Sequence, residues 1–439
     1  MPARFVVLSL LVPLLTVQPA SRPRARDLGI APGAMEPGPL NAITDVAGVL
    51  VGQTTVVSGG TVRTGVTAIL PHGGNLFREK VAGAVFIGNA FGKLAGSTQV
   101  QELGTIESPI VLTNTLSVGA AMDATVRWTL AQPGNGTVRS VNAIVGETND
   151  GGLNDIRGLH VTREHVIAAI TAAKSGVVDE GAVGAGTGTI AFGWKGGIGT
   201  SSRRVRQGED DYTVGVLVQS NYGGRLTIAG VPVWKELTPR GAAAPPVLEA
   251  SAHAAASASA VAAPSASAVA ATSASAVAAP STSVSTAPST SVPTAPSASA
   301  PTAPSTSVPI APSASDADGS CMLIIATDAP LDARGLERLA ARAIFAMART
   351  GSTYSNGSGD FAIAFSTHPS LRVGGESAPQ QRTVLPTDAV SSLFEAVLDA
   401  TEEAIYNSLL KAADTTGNGR TIRALPVEEL RALLKKYGR

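Results

Sequence analysis

The chain has 439 residues, of which 33 are basic and 33 acidic, so its formal net charge is zero. No strongly basic region is present that would bind the phosphates of a nucleic acid. The single cysteine, Cys321, excludes an internal disulfide and a thiolate metal cluster. The five histidines are not spaced as metal-ligating residues are, so we expect neither a metal site nor a cofactor.

The first 26 residues have the features of an export signal. Arg4 gives a basic start, residues 5–17 are mostly apolar, and Ala20 offers a small residue for cleavage. The apolar run is shorter than the ~20 residues that span a bilayer, so we expect no stable membrane anchor. A buried N-terminal helix is the alternative, but Pro13 and the arginines that follow disfavour it. We therefore expect a periplasmic or secreted protein.

The segment from residue 27 to residue 241 alternates predicted strands, helices and glycine-rich turns. Apolar runs and helical spacing predict, in order, strand 62–70, strand 81–87, strand 110–112, helix 117–130, helix 162–174 and strand 212–219. The sequence at 184–188, Gly-Ala-Gly-Thr-Gly, superficially resembles a nucleotide-binding loop. Two short apolar runs follow it instead of a helix, which favours a hairpin over a nucleotide site.

The composition changes at residue 242 and stays changed to residue 315. This stretch consists mainly of Ala, Ser, Pro and Thr, and no charged residue lies between Glu249 and Asp316. Its regular prolines disfavour helices and sheet ladders, and it has few large apolar groups to bury. We therefore predict a low-complexity, disordered linker. An exposed tether that keeps a cleavage point reachable and a tolerated repeat expansion both fit this composition.

The segment from residue 316 to residue 439 is predicted to complete the same domain. The expected elements are strand 321–326, helix 333–349, a glycine-rich turn at 355–360, strand 361–366, a long helix from 387 or 388 to 411, and helix 426–436. Asp332 is a typical N-cap for the first of these helices.

Ser320 lies where the predicted linker meets the predicted strand 321–326. If the bond between Gly319 and Ser320 broke, Ser320 would carry both a hydroxyl nucleophile and an α-amine base, whose pKa in a free chain is ~7.7–8.0. Ser358 and Asp360 offer a second hydroxyl and a carboxylate that could hydrogen-bond this amine. Ordinary turn chemistry explains Ser358 and Asp360 equally well.

Cys321 follows Ser320 directly and is an alternative nucleophile. In that case the cleaved bond would fall one residue later in the chain. Its position in an apolar run favours a buried strand residue instead.

Nine short segments occur in order along nearly the whole chain outside the linker. They are residues 38–46, 63–67, 146–148, 150–155, 195–203, 216–221, 318–320, 326–331 and 355–360. As a set they are highly specific: the sequence resembles the DmpA/BapA-type aminopeptidases of the P1 peptidase family (L-aminopeptidase/D-esterase). These enzymes are self-cleaving relatives of the N-terminal nucleophile hydrolases. The linker is longer than this resemblance leads us to expect.

The resemblance implies an α/β fold, an αββα four-layer sandwich with two sheets packed between helices and interrupted by the linker. It also implies cleavage before Ser320, which leaves a larger α-piece (27–241 and the linker) and a smaller β-piece within residues 316–439. The implied assembly is a homo-oligomer, a tetramer of α/β pairs.

The resemblance assigns the catalytic roles residue by residue. Ser320 is the nucleophile and Gly319 the residue before the cleaved bond. Ser358 and Asp360 orient the new amine and tune its basicity. The side-chain amide of Asn221 donates to the oxyanion.

Two further residues are implied in substrate binding. Glu147 is the counter-charge for a substrate ammonium, although a surface-turn role is the alternative. Asn149 stands where the family often has an aromatic side chain that lines the site. An amide at this position would widen and polarise the substrate pocket.

The expected activity is that of a serine aminopeptidase that processes itself and acts on short peptides, amides or esters through an acyl-enzyme. A β-aminopeptidase or another amidase specificity in the same family is one alternative. An acyltransferase of the ornithine acetyltransferase type is another, although those enzymes use a threonine nucleophile. A processed, non-catalytic envelope protein is the third.

Overall fold

The structure, a computed structural model, describes residues 22–239, 319–375 and 378–439. All of these residues belong to one compact unit. The predicted linker at 242–315 and the apolar part of the predicted export signal lie outside the described residues. Within the described ranges, no helix is long and apolar enough to cross a membrane.

Two β-sheets form the centre of this unit. In chain order the strands are β1 (Leu50–Ser58), β2 (Val62–Leu70), β3 (Val81–Ala90), β4 (Leu94–Ala95), β5 (Thr105–Ile106), β6 (Ile110–Asn114), β7 (Ile144–Thr148), β8 (Ile190–Ala191), β9 (Trp194–Lys195), β10 (Gly197–Gln207), β11 (Asp210–Asn221), β12 (Ser320–Thr327), β13 (Gly359–Ser366), β14 (Thr415–Gly417) and β15 (Arg420–Ile422). One sheet has the order β1-β2-β6-β7-β4 and the other β10-β11-β12-β13-β3-β5. Two small hairpins, β8–β9 and β14–β15, lie outside the large sheets.

The α-helices connect and cover these sheets. They are α1 (Ser97–Leu103), α2 (Val118–Leu130), α3 (Arg163–Thr171), α4 (Val233–Glu236), α5 (Ala333–Thr350), α6 (Ser391–Leu410) and α7 (Val427–Lys436). Asp332 caps α5 as predicted, because its carboxylate accepts a hydrogen bond from the Gly335 N–H at 2.8 Å.

Three buried clusters of apolar side chains define four layers. The first cluster lies between the six-stranded sheet and helices α5 and α6. The second lies between the two sheets, where Ile110 and Ile144 of one sheet meet Leu217 and Ile363 of the other. The third lies between the five-stranded sheet and helices α2 and α3. This arrangement confirms the predicted αββα sandwich.

Strand β12 sits inside the six-stranded sheet and is buried on both faces. It pairs antiparallel with β11 and parallel with β13. Because successive side chains of a strand point to opposite faces, Cys321 and Leu323 pack toward the helices while Met322 and Ile324 pack toward the other sheet. The strand prediction at 321–326 is confirmed, and the strand begins one residue earlier, at Ser320 itself.

Two helix predictions need correction at their ends. The helix predicted at 162–174 ends at Thr171, because the backbone of Lys174 forms two hydrogen bonds with Val51 of β1 instead. The long helix predicted to begin at 387 or 388 begins with a separate 3-10 turn, Thr387–Ala389, and α6 starts at Ser391.

Residues 22–26, at the end of the predicted export signal, pack on the folded unit. The Arg22 guanidinium donates to the carbonyl oxygens of Leu410 and Leu425, and Arg26 forms an ion pair with Glu403. Arg24 donates to the carbonyl oxygen of Thr200 at 2.7 Å. These contacts make residues 22–26 part of the folded unit.

The glycine-rich stretch at 184–188 is packed against neighbouring backbone. A Cβ atom on Gly186 would lie 2.5 Å from the Ile198 nitrogen, and one on Gly188 would lie 2.1 Å from the Arg63 oxygen. The β8–β9 hairpin follows this stretch, as the sequence predicted. The glycines are thus required for close packing.

Candidate active site

Ser320 is the first residue of β12 and lies between the two neighbouring strands of the sheet. In the sheet register it stands opposite Asn221, the last residue of β11, and Gly359, the first residue of β13. The Gly359 N–H donates to the Gly319 carbonyl oxygen at 3.1 Å and to the Ser320 hydroxyl at 3.3 Å. Ser320 is only 5% exposed. One backbone N–H therefore holds both the hydroxyl and the carbonyl that precedes it.

Gly319 is required by the space around it. Its φ is +157°, and a Cβ atom there would lie 2.0 Å from the Asn221 carbonyl oxygen and 2.7 Å from the Tyr222 Cα. Real Cβ atoms do not approach backbone atoms so closely, so any side chain at this position would push β11 and β12 apart.

Ser358 and Asp360 form a buried pair at the start of β13. The Ser358 hydroxyl donates to Asp360 Oδ1 at 2.9 Å. Burial raises the pKa of Asp360 from 3.8 to about 6, and the Ser358 hydrogen bond opposes this change. The other oxygen, Oδ2, is buried and has no well-formed hydrogen bond among the described residues, although the Cys321 backbone amide also favours the charged form. Asp360 can therefore exchange a proton near neutral pH.

The raised pKa of Asp360 predicts a pH-dependent cost to stability. The folded chain binds this proton more tightly than the unfolded chain, so the group's contribution falls as pH rises from about 4 to about 6. We expect Asp360→Asn, compared in an uncleaved Ser320→Ala background, to raise the free energy of unfolding by about 1–3 kcal/mol at pH 7.5. It should leave that free energy nearly unchanged at pH 4. Urea unfolding at both pH values measures this, and an equal effect at both would contradict it.

The side-chain amide of Asn221 is held in one orientation. Its Oδ1 accepts a hydrogen bond from the backbone N–H of Ile190 in β8 at 2.9 Å. The oxygen is thereby turned toward β8, and Nδ2 makes no hydrogen bond within the described residues. Because Asn221 and Ser320 are register partners, both side chains leave the same face of the sheet. The amide is therefore placed to donate beside the Ser320 hydroxyl.

Glu147 belongs to β7 of the other sheet and is 2% exposed. Its Oε1 accepts from the Lys93 backbone N–H at 3.0 Å, and its Oε2 accepts from the Thr115 hydroxyl. A Cβ atom on Gly92 would lie 3.3 Å from Glu147 Oε1 and 3.4 Å from the Gly359 Cα. Gly92 thus fills the space between the Glu147 carboxylate and the start of β13, and the carboxylate lies at the Ser320 end of the sandwich.

The side chain of Asn149 forms no hydrogen bond with these residues within the described part of the chain. It is exposed, and its Oδ1 accepts a hydrogen bond from the Gly151 N–H at 2.9 Å. This is the geometry of an Asx turn, so its amide oxygen is already used locally.

Cys321 is fully buried on the helix-facing side of the sheet, opposite to the side that Ser320 faces. Burial raises the pKa of its thiol well above the ordinary value, and the Asp360 charge adds to this. The thiolate that a nucleophile requires is therefore disfavoured. The prediction of a buried strand residue is confirmed.

Three residues of this region received no role from the sequence: Gly92, Ile190 and Lys195. Gly92 and Ile190 act through backbone position, which leaves little trace in a sequence. Lys195 falls within the segment 195–203 that carried the family resemblance, and that is the signal that could have drawn attention to it. Within residues 22–239, 319–375 and 378–439, no group of three or more His, Cys, Asp or Glu side chains could hold a metal ion.

The fold is of the Ntn hydrolase type. A solved structure of the l-aminopeptidase d-ala-esterase/amidase from Ochrobactrum anthropi, a serine aminopeptidase with a variant of the Ntn hydrolase fold, superposes with a TM-score of 0.74. It is 33% identical, and the match covers 95% of this chain and 99% of that one. The chain belongs to peptidase family S58, whose model matches residues 41–422. It is an aminopeptidase of that family.

Other relatives are similar over almost their whole length. A β-peptidyl aminopeptidase, BapA, from Sphingosinicella microcystinivorans is 41% identical over 96% of this chain and 94% of the relative. A solved β-aminopeptidase from Burkholderia sp. is 34% identical with a TM-score of 0.72, covering 95% of this chain and 99% of that one.

Proposed function

We propose that this aminopeptidase breaks its own Gly319–Ser320 bond and then uses Ser320 as an N-terminal nucleophile. The observation that supports this most directly is the Gly359 N–H, which binds the Gly319 carbonyl oxygen and the Ser320 hydroxyl at once. A hydrogen-bond donor on the carbonyl stabilises the oxyanion that forms when the hydroxyl attacks. The nucleophile and its target are therefore prearranged within one dipeptide.

The self-cleavage proceeds in two steps. Ser320 Oγ attacks the Gly319 carbonyl carbon, the hydroxyl proton passes to the departing nitrogen, and the C–N bond breaks to leave an ester. Water then attacks the same carbon, which releases the Gly319 carboxylate and regenerates the hydroxyl. The product is Ser320 with a free α-amine at the start of β12.

In turnover the same hydroxyl attacks the carbonyl carbon of a substrate amide. The α-amine of Ser320, with an ordinary pKa of ~7.7–8.0, takes the hydroxyl proton and passes it to the leaving amine. Ser358 and Asp360 hold this α-amine, since the Asp360 carboxylate lies at the start of β13, directly beside the start of β12. Asn221 donates to the oxyanion through Nδ2. Water hydrolyses the acyl-enzyme and frees the N-terminal residue.

The substrates we propose are short peptides, amides and esters with a free amino group. The names of the two β-specific relatives favour an N-terminal β-amino acid, such as a β-alanyl residue. The Ochrobactrum enzyme favours a second candidate, an L-aminopeptidase with esterase activity. Membership of a peptidase family disfavours an acyltransferase and a non-catalytic envelope protein.

Intact mass measurement of the purified protein tests self-processing. Two pieces, the smaller beginning at Ser320 by N-terminal sequencing, are expected. One intact chain, or a smaller piece that begins at another residue, would refute the mechanism. Initial rates with β-alanyl, L-alanyl and D-alanyl p-nitroanilides then rank the two candidate specificities.

Glu147 is expected to bind the substrate ammonium. Glu147→Gln removes the charge but keeps the shape, so it should raise KM for β-alanyl p-nitroanilide by about 10–100-fold, as for a lost charged hydrogen bond. The matched control substrate is propionyl p-nitroanilide, which differs only in lacking the amine. If Glu147 has this role, the variant loses its preference for the β-alanyl substrate, and its KM for the propionyl substrate equals that of the wild type. An unchanged preference would assign Glu147 to structure alone.

We also propose export to the periplasm or the medium and assembly as a homo-oligomer, a tetramer of α/β pairs. The mature chain would begin before Arg22, since the contacts of residues 22–26 with α6 need these residues in place. Fractionation and light scattering test the two statements separately.

A further inference from the structure

Lys195 carries an ammonium group that is completely buried. It is 0% exposed, and its Nζ donates to three backbone carbonyl oxygens: Gly186 at 2.9 Å, Thr189 at 2.9 Å and Gly196 at 2.7 Å. A lysine ammonium has three N–H donors, so each donor has an acceptor. All three acceptors belong to the segment 186–196, so the ammonium links three points of this segment by hydrogen bonds.

The burial of this cation has an energetic cost. Removing an ammonium from water is costly unless it meets a counter-charge. None of the ion pairs within the described residues includes Lys195. Asp150 supplies a nearby negative charge that favours the charged form, while burial lowers the pKa of Lys195 to about 7. An apolar side chain of similar length would avoid this cost, but it would remove the donor that brings the three carbonyl oxygens together.

The segment that Lys195 ties together leads directly to the proposed oxyanion donor. Thr189, whose carbonyl oxygen receives the ammonium, is followed by Ile190. The Ile190 N–H donates to Asn221 Oδ1 at 2.9 Å, and this is the contact that turns Nδ2 toward the Ser320 side. Ile190 also pairs with Lys195 in the β8–β9 hairpin. A shift of the Thr189–Ile190 peptide would therefore rotate the Asn221 amide.

We propose that Lys195 is a positioning residue for catalysis: its ammonium fixes residues 186–190 so that the Ile190 N–H orients the Asn221 amide for the oxyanion. The inference rests on the proposed role of Asn221. Within the glycine-rich stretch at 184–188, Gly186 supplies one of the three carbonyl oxygens, and a Cβ atom on Gly186 would lie 2.5 Å from the Ile198 nitrogen. The hydrogen bonds of the Lys195 ammonium all go to backbone carbonyl oxygens, so Lys195 acts on Asn221 through the backbone.

A double-mutant cycle in the full chain tests the coupling. Asn221→Ala is expected to lower kcat by about 10²–10³-fold, as for the loss of one oxyanion donor. Lys195→Met should lower kcat by about 10–100-fold with KM within about threefold of the wild type, because only part of that donor's alignment is lost. The double variant should be no slower than Asn221→Ala alone. The rates are divided by the amount of processed enzyme, which intact mass gives.

The rate of self-cleavage is a second measurement, because the Asn221 amide can also donate to the oxyanion that forms in self-cleavage. Lys411→Met is the matched control: Lys411 Nζ also donates to a backbone carbonyl, that of Arg22, but its contact lies outside the segment 186–196. It should keep the wild-type kcat. An equal fold-loss from Lys195→Met in both the wild-type and the Asn221→Ala backgrounds would overturn the proposal, because that is what a general structural role produces.

Two other outcomes are also decisive. If Lys195→Met does not fold, Lys195→Gln, which keeps two N–H donors, carries the same cycle. Failure of both variants to fold would make Lys195 a folding residue and would overturn the proposal. If Asn221→Ala alone keeps the wild-type kcat, the oxyanion role of Asn221 has failed, which is a failure of the proposed function and is visible before Lys195 is tested.

Discussion

Ser320→Ala is expected to yield a single uncleaved chain without aminopeptidase activity. The variant lacks the hydroxyl oxygen that reacts in both steps of the proposed mechanism. In the uncleaved chain the amine that would act as base also remains an amide. A loss of at least about 10⁴-fold in kcat is expected, as for removal of a serine nucleophile elsewhere. Intact mass and initial rates measure the two effects on one preparation.

Cys321→Ala is the matched control for this experiment. Cys321 is the neighbouring residue, but its side chain is buried toward α5 and α6. The variant should be cleaved at the same bond and remain active, with only the modest loss of stability that removal of a small buried group causes. Cleavage of Ser320→Ala, or loss of cleavage in Cys321→Ala alone, would move the nucleophile to Cys321.

Much of the sandwich follows from local patterns in the sequence. The run at 321–326 is apolar at every position, which predicts a strand covered on both faces, and β12 is such a strand. Asp332 predicted the start of α5. The two helix ends that differ depend on long-range contacts. Lys174 leaves its helix to pair with β1, which lies more than 120 residues earlier in the chain.

The candidate site also has features that short sequence segments predict and features that depend on long-range contacts. The junction of Gly319 and Ser320, and the pair Ser358 and Asp360, could be proposed because each lies within one short segment. The contact from Ile190 to Asn221 and the ammonium of Lys195 could not, because they depend on backbone atoms whose positions only the fold determines. The resemblance identified Asn221 and Glu147, but it did not indicate what orients them.

The buried ion pair between Arg203 and Glu403 is the clearest case of a long-range contact that no sequence pattern predicts. The two side chains are both 0% exposed, their charged atoms are 2.7 Å apart, and 200 residues separate them along the chain. Glu403 also accepts from Asn41 and pairs with Arg26. It therefore joins the N-terminal segment, β10 and α6 at one point.

Glu403→Gln is expected to lower the free energy of unfolding by about 3–5 kcal/mol, because it removes the ion-pair partner of the buried Arg203 charge. This is a large share of the ~5–15 kcal/mol that holds a typical domain together. Urea unfolding in the Ser320→Ala background, where the chain stays whole, measures it. Asp211→Asn is the control: it removes the exposed partner of Arg206 and should change stability little. Equal effects from the two variants would contradict the prediction.

Glu403→Gln should leave the catalytic rate of the folded enzyme nearly unchanged. Arg203 pairs with Val214 in the register of β10 and β11, whereas Ser320 stands opposite Asn221 at the other end of β11. Seven residues of a strand, at ~3.3 Å each, separate the two places. In the cleavable background, folded Glu403→Gln should therefore keep nearly the wild-type kcat below its unfolding temperature, whereas folded Lys195→Met should lower kcat. A fall in kcat for Glu403→Gln that matches the one for Lys195→Met would mean that the two ends of β11 are coupled.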